Sequence, residues 1–90
     1  MKKMHAIITG RVQGVGFRYF VQKAANDRGV TGWTRNLPDG TVEVEAEADA
    51  DTLEDFRQTL WAGPALSRVD DVKETFSEAQ GAYNGFSVKY

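Results

Sequence analysis

The chain contains no cysteine, which excludes a disulfide framework, a thiolate nucleophile and a thiolate metal site. Its single histidine, His5, lies at the far end of the first strand from the loop that carries the chemistry below. Nucleophilic catalysis of the triad type therefore has no base to draw on. No clustered ligands point to a metal ion, and neither metal nor cofactor is expected. No apolar run approaches the roughly 20 residues needed to cross a membrane. Met1-Lys2-Lys3-Met4-His5 leads straight into a strand-like segment rather than into the hydrophobic region of a signal peptide. A cytoplasmic address is the expectation.

Acids are also missing from one stretch. None occurs between Met1 and Asn26, whereas Asn36 to Phe56 carries eight acids and no base. Residues 1–35 hold seven Lys or Arg against one acid, Asp27; residues 36–90 hold four against twelve. A nucleic-acid binder with a broad basic face does not fit this distribution. A compact anion site built by the first third of the chain does, although a mixed solvated surface would produce the same counts.

What is present suits one small globular domain over residues 1–90. At this size folding buries roughly 60% of the unfolded chain's surface, and a hydrophobic fraction of 41% with ten aromatic residues is ample for a core. From Met4 to Val12 the chain alternates as a strand, with Met4, Ala6, Ile8, Gly10 and Val12 on one face. Gln13-Gly14-Val15-Gly16 breaks it. Phe17, Phe20, Val21, Ala24 and Ala25 then form one stripe of an amphipathic helix, and Gly29 sits where a left-handed C-cap belongs.

Val30 to Leu37 reads as a second strand, followed by a Pro38-Asp39-Gly40 turn. Thr41 to Ala48 alternates Val42, Val44, Ala46 and Ala48 inward against Glu43, Glu45 and Glu47 outward, which predicts one wet face. Asp49 or Asp51 can cap a second helix with Leu53, Phe56 and Leu60 buried, ended by Gly63-Pro64. Strands are expected over 68–76 and 86–90. The order is an α+β, ferredoxin-like βαββαβ sandwich: two helices on one face of a four- to five-stranded, mainly antiparallel sheet. In that topology the first two strands run parallel, so the glycine-rich loop and Asn36 converge at one sheet edge.

Gly14-Val15-Gly16-Phe17-Arg18 enters a helix whose first amides have no intrahelical acceptor and carry partial positive charge. Glycines let such a loop approach an anion closely. Arg18 in the first turn opposes the helix dipole, and a bound phosphate resolves the conflict through bidentate contacts. The alternative is a flexible connector with a solvated arginine. Asn36 either shapes the turn that follows it or holds a water through one donor and one acceptor. Chemistry with so little acid–base help suits phosphoryl transfer, which relies on positioning and charge stabilisation. A carboxylate leaving group fits best, because a group with a conjugate-acid pKa near ~4 departs without a proton donor.

Ile8-Thr9-Gly10-Arg11-Val12-Gln13-Gly14-Val15-Gly16-Phe17-Arg18 resembles the first signature of the acylphosphatase family at every characteristic position. Gly32-Trp33-Thr34-Arg35-Asn36-Leu37-Pro38-Asp39-Gly40-Thr41-Val42 resembles the second. It departs at Thr34, where a small apolar residue is usual; a further departure is Ala48, where glycine is usual. The resemblance covers essentially the whole chain. It implies a monomeric hydrolase that splits a small-molecule acyl phosphate into a carboxylate and inorganic phosphate, without metal or cofactor. By motif position, Arg18 and the amides of Gln13, Gly14, Val15, Gly16, Phe17 and Arg18 would hold the phosphoryl group, and Asn36 would position the attacking water. Two alternatives remain. A non-catalytic acyl-phosphate-binding domain would keep the loop, although the presence of both Arg18 and Asn36 favours an enzyme. An RRM-like RNA-binding module shares the topology, and Gly16-Phe17-Arg18-Tyr19-Phe20-Val21 looks like its aromatic motif. There the aromatics stand on a strand, and exposed glutamates would repel phosphates.

Overall fold

The apolar faces are satisfied by a sheet covered on one side by two helices. The structure, a computed structural model, describes residues 1–90. In chain order the elements are β1 (Lys2–Arg11), α1 (Phe17–Arg28), β2 (Thr31–Asn36), β3 (Val42–Ala48), α2 (Ala50–Ala62), β4 (Arg68–Glu78) and β5 (Phe86–Lys89). The sheet order is β4-β1-β3-β2-β5. Neighbours are antiparallel except β2 and β5, which pair in parallel from Gly32↔Phe86 to Arg35↔Lys89. This is the ferredoxin-like arrangement with a short fifth strand. Because β1 and β2 both oppose β3, they run the same way, and β5 runs with them. Their C-terminal ends share one edge.

Strand alternation and helical stripes meet in one core cluster of 18 residues. Met4, Ala6 and Ile8 of β1 and Val42, Val44 and Ala46 of β3 face Phe17, Val21 and Ala25 of α1 and Leu53, Phe56 and Leu60 of α2. Each large side chain so buried contributes roughly 1.5–3 kcal/mol. Helix α1 ends on Gly29 at φ 70°, with the Val30 amide closing onto Ala25 O at 2.9 Å. Helix α2 starts at Asp49, whose side chain accepts from the Thr52 amide at 2.9 Å. Arg28 ties the helices together through Asp55 at 2.8 Å and Thr59 at 2.9 Å. Both departures from the family pattern are absorbed. Thr34 is fully buried, but its hydroxyl donates to Glu43 O at 3.0 Å, and Ala48 needs no positive φ.

The second sheet face is not the wet one predicted. The segment between β4 and β5 folds across it: the Ala82 amide donates to Glu47 Oε1 at 3.1 Å, and the Tyr83 hydroxyl donates to Glu45. Glu47 has a fully buried side chain, with Lys3 Nζ 3.7 Å from its other oxygen. Trp33 Nε1 donates to Tyr83 Oη at 3.2 Å. The Glu45 bond and burial hold the Tyr83 phenol above its ordinary pKa, so it stays a donor. Alternation separates two faces but does not say what covers the second.

Several carboxylates sit below their ordinary pKa. Asp39 is held there by the Thr41 hydroxyl and amide, Asp49 by the Thr52 amide and hydroxyl, and Glu78 by Lys2. Burial pushes Glu43 up, but hydrogen bonds from His5 and Arg35 and their charges outweigh it. The native state therefore binds fewer protons than the unfolded chain. Stability from these groups is present in full above the ordinary carboxylate pKa, roughly 4, and is lost as pH falls through the depressed native values. Melting temperature is expected to stay flat from about pH 6 to 8 and to drop progressively below about pH 4. A melting temperature unchanged down to about pH 2 would contradict these ties.

Candidate active site

The loop after β1 enters α1 through two glycines, Gly14 and Gly16, each at φ 75°. Gly16 is the N-cap; it has no side chain to cap the helix, and the first turn contains no acid. The backbone N–H groups from Gly14 to Tyr19 donate to no protein acceptor. They form a run of free donors at the positive end of a helix. A Cβ at Gly16 would meet no atom within 4 Å, so Gly16→Ala is strained only through its left-handed backbone. It is expected to lower stability by about 1–2 kcal/mol, read as a melting temperature several degrees lower. An unchanged melting temperature would mean that the loop adopts another conformation.

Arg18 projects into the same cleft. Its Nη1 donates to Lys89 O at 3.2 Å, and its guanidinium carbon lies 4.7 Å from the centre of the Tyr90 ring. No carboxylate pairs with it, so its remaining N–H groups are free for an anion. Asn36, the last residue of β2, reaches the cleft from the neighbouring strand. Its Oδ1 is buried without a hydrogen-bond partner, an arrangement that needs a reason, because a buried polar atom is normally paired.

The cleft has a volume of about 440 Å³ and is lined by Val12, Gly14, Gly16, Phe17, Arg18, Tyr19, Gln22, Asn36, Val88 and Tyr90. Of the residues singled out from sequence, it unites Gly14, Gly16, Phe17, Arg18 and Asn36. Phe17 is 2% exposed and its ring belongs to the core, which leaves only its amide to the cleft. The side chains of two loop residues lie elsewhere: Val15 packs against the core, and Gln13 turns to the segment after β2. Sequence reasoning missed Tyr19, Gln22, Val88 and Tyr90. Gln22 was within reach of it, four residues beyond Arg18 on the same helix face. Val88 and Tyr90 arrive only through the parallel pairing of β5 with β2.

His5 lies in β1 and donates through Nε2 to Glu43 at 2.7 Å, outside the cleft. Phe17 and Phe20 stand on α1, their rings 5.9 Å apart, not on a strand as an aromatic RNA-contact motif requires. No helix is long and apolar enough to cross a membrane.

Comparison with known proteins places this geometry in a family. The acylphosphatase family model matches residues 4–88. An acylphosphatase of Chlorobaculum tepidum is 50% identical over 87 residues, covering 97% of this chain and 95% of that one. The crystal structure of acylphosphatase from Bacillus subtilis superimposes with a TM-score of 0.97 at 41% identity, with both chains covered in full. The structure of T. kodakarensis HypF matches at a TM-score of 0.86 and 33% identity, over 99% of this chain and 12% of that one. With a family match across nearly its whole length, and with the glycine loop, Arg18 and Asn36 brought to one sheet edge, the chain belongs to the acylphosphatase family.

Proposed function

We propose that this chain hydrolyses small-molecule acyl phosphates, giving a carboxylate and inorganic phosphate. The observation that carries the reading is the opposition, across one cleft, of a run of free amides with Arg18 and an Asn36 carboxamide that makes no hydrogen bond to the protein. The amides from Gly14 onward and the Arg18 guanidinium take the phosphoryl oxygens, whose negative charge the helix terminus favours. Asn36 lines the same cleft, and its side-chain amide, which makes no bond to the protein, holds a water and aims the water oxygen at phosphorus.

In the reaction the new P–O bond forms to water while the bond from phosphorus to the acyl oxygen breaks. The electron pair leaves on the carboxylate, and the water's proton ends on the phosphate. Arg18 and the fixed amide dipoles stabilise the charge that develops, the dominant contribution in reactions of this kind. No side chain has to take the proton, because a carboxylate leaves unaided. Every residue this reading uses belongs to one chain, and none of its steps calls on a metal, a nucleic acid or a membrane.

Hydrolysis of benzoyl phosphate with EDTA present tests this. Turnover under those conditions is the expected result. A folded protein that binds inorganic phosphate without turning the substrate over would be a binding domain instead.

A further inference from the structure

Gln13 stands outside the cleft and yet touches both halves of it. Its backbone belongs to the phosphate loop, while its side chain crosses to the turn that follows Asn36. Nε2 donates to Leu37 O at 2.8 Å and to Thr41 O at 2.9 Å. A carboxamide nitrogen has two hydrogens, so both are used. The turn has its own closure, Leu37 N–H to Thr41 O at 2.9 Å and Gly40 N–H to Leu37 O at 3.1 Å. Gln13 fixes that closed turn against the loop. A ligand-binding loop needs no such bond to keep its own shape.

Asn36 is the residue that depends on it. Its Oδ1 is buried and unpartnered, and none of the protein's side-chain hydrogen bonds involves its amide. Where its carboxamide sits is therefore set by the backbone at the end of β2, and the next residue, Leu37, is the one Gln13 holds. We propose that Gln13 is a positioning residue for the hydrolysis: its carboxamide locks the turn after Asn36 to the phosphate loop and fixes the distance from the water-holding amide to phosphorus. The inference rests on the function proposed above. It gives Gln13 a role through its side chain that is separate from any contact with phosphate.

Gln13→Met keeps the length and removes both donors, and each carbonyl retains one backbone partner. Misplacement of a reacting group by about an ångström costs on the order of a hundredfold in rate. Gln13→Met is accordingly expected to lower kcat for benzoyl phosphate by about ten- to a hundredfold. Its inhibition constant for inorganic phosphate should stay within about twofold of the parent. A merely structural tie would lower the melting temperature and leave kcat, measured well below it, within about twofold of the parent; that result overturns the proposal. So does a phosphate inhibition constant that rises as far as kcat falls, because Gln13 would then touch the phosphate itself.

If Gln13→Met does not fold, Gln13→Asn takes its place: one methylene short, it cannot reach both carbonyls, and the same split between kcat and phosphate affinity decides. If the parent chain turns over nothing, the proposed function fails, and Gln13 is judged by the Asn36 side-chain amide in NMR relaxation with inorganic phosphate present. A rigid amide in the parent that becomes mobile in Gln13→Met supports the lock, and equal order in both refutes it.

Discussion

Asn36→Ala is expected to bind inorganic phosphate as the parent chain does and to lose turnover of acyl phosphates by about a hundred- to a thousandfold in kcat, the loss typical when one preorganised polar group is removed from a reacting centre. The split follows from where the atoms are. The free donors belong to the loop and to α1, and none of them bonds to Asn36. Folding should change little, since the Asn36 carboxamide makes no hydrogen bond to the protein and its Oδ1 is a buried acceptor without a partner, a burden on the native state rather than a support. A slightly higher melting temperature for Asn36→Ala would agree with this. Steady-state kinetics on benzoyl phosphate, with phosphate as competitive inhibitor, measures both quantities. If kcat in Asn36→Ala stays within a few fold of the parent, another group places the water.

Arg18→Ala should do the opposite, weakening phosphate before it touches anything else. Hydrogen bonds to charged groups contribute about 1.5–3 kcal/mol each, so losing a two-pronged contact raises the phosphate inhibition constant by about two orders of magnitude or more. kcat/KM falls at least as far, because the charge that develops in the transition state is served by the same group. Arg18→Lys keeps the charge but not the fork, and should recover only part of the affinity. The fold loses one hydrogen bond to Lys89 O and the stacking on Tyr90, both at the surface, while a cation leaves the positive end of α1. These terms oppose each other, so the melting temperature should move by no more than a few degrees. Equal phosphate affinity in parent and Arg18→Ala would remove Arg18 from the site.

Much of this molecule is legible one residue at a time. The period-two pattern of β1 and β3, the stripes of α1 and α2, the cap at Gly29 and the turn at Pro38 are local consequences of side-chain spacing and backbone preference, and each is found where the pattern puts it; of the two caps open to α2, Asp49 and Asp51, the structure uses Asp49. So are the glycines that enter α1 and the arginine that follows them, because an uncapped helix start with a misplaced cation is a conflict visible in sequence. The order of strands and helices was enough to bring Asn36 to the loop, since the parallel course of β1 and β2 follows from topology.

Tertiary structure decided the contacts made between elements distant in sequence. The acidic alternation of β3 says that Glu43, Glu45 and Glu47 share a face; it does not say that the segment carrying Ala82 and Tyr83 crosses that face and buries Glu47. Val88 and Tyr90 line the cleft because β5 pairs in parallel with β2, an edge pairing that a four-residue strand does not announce. The Gln13 carboxamide reaches Leu37 and Thr41, 24 and 28 residues away, and glutamine in a glycine-rich loop carries no mark of that partner. Sequence alone determined the elements and marked two candidate groups, Arg18 from local charge at a helix start and Asn36 from the order of the strands. What holds these groups in register, and what closes the second face, rests on side chains that become neighbours only when the sheet forms.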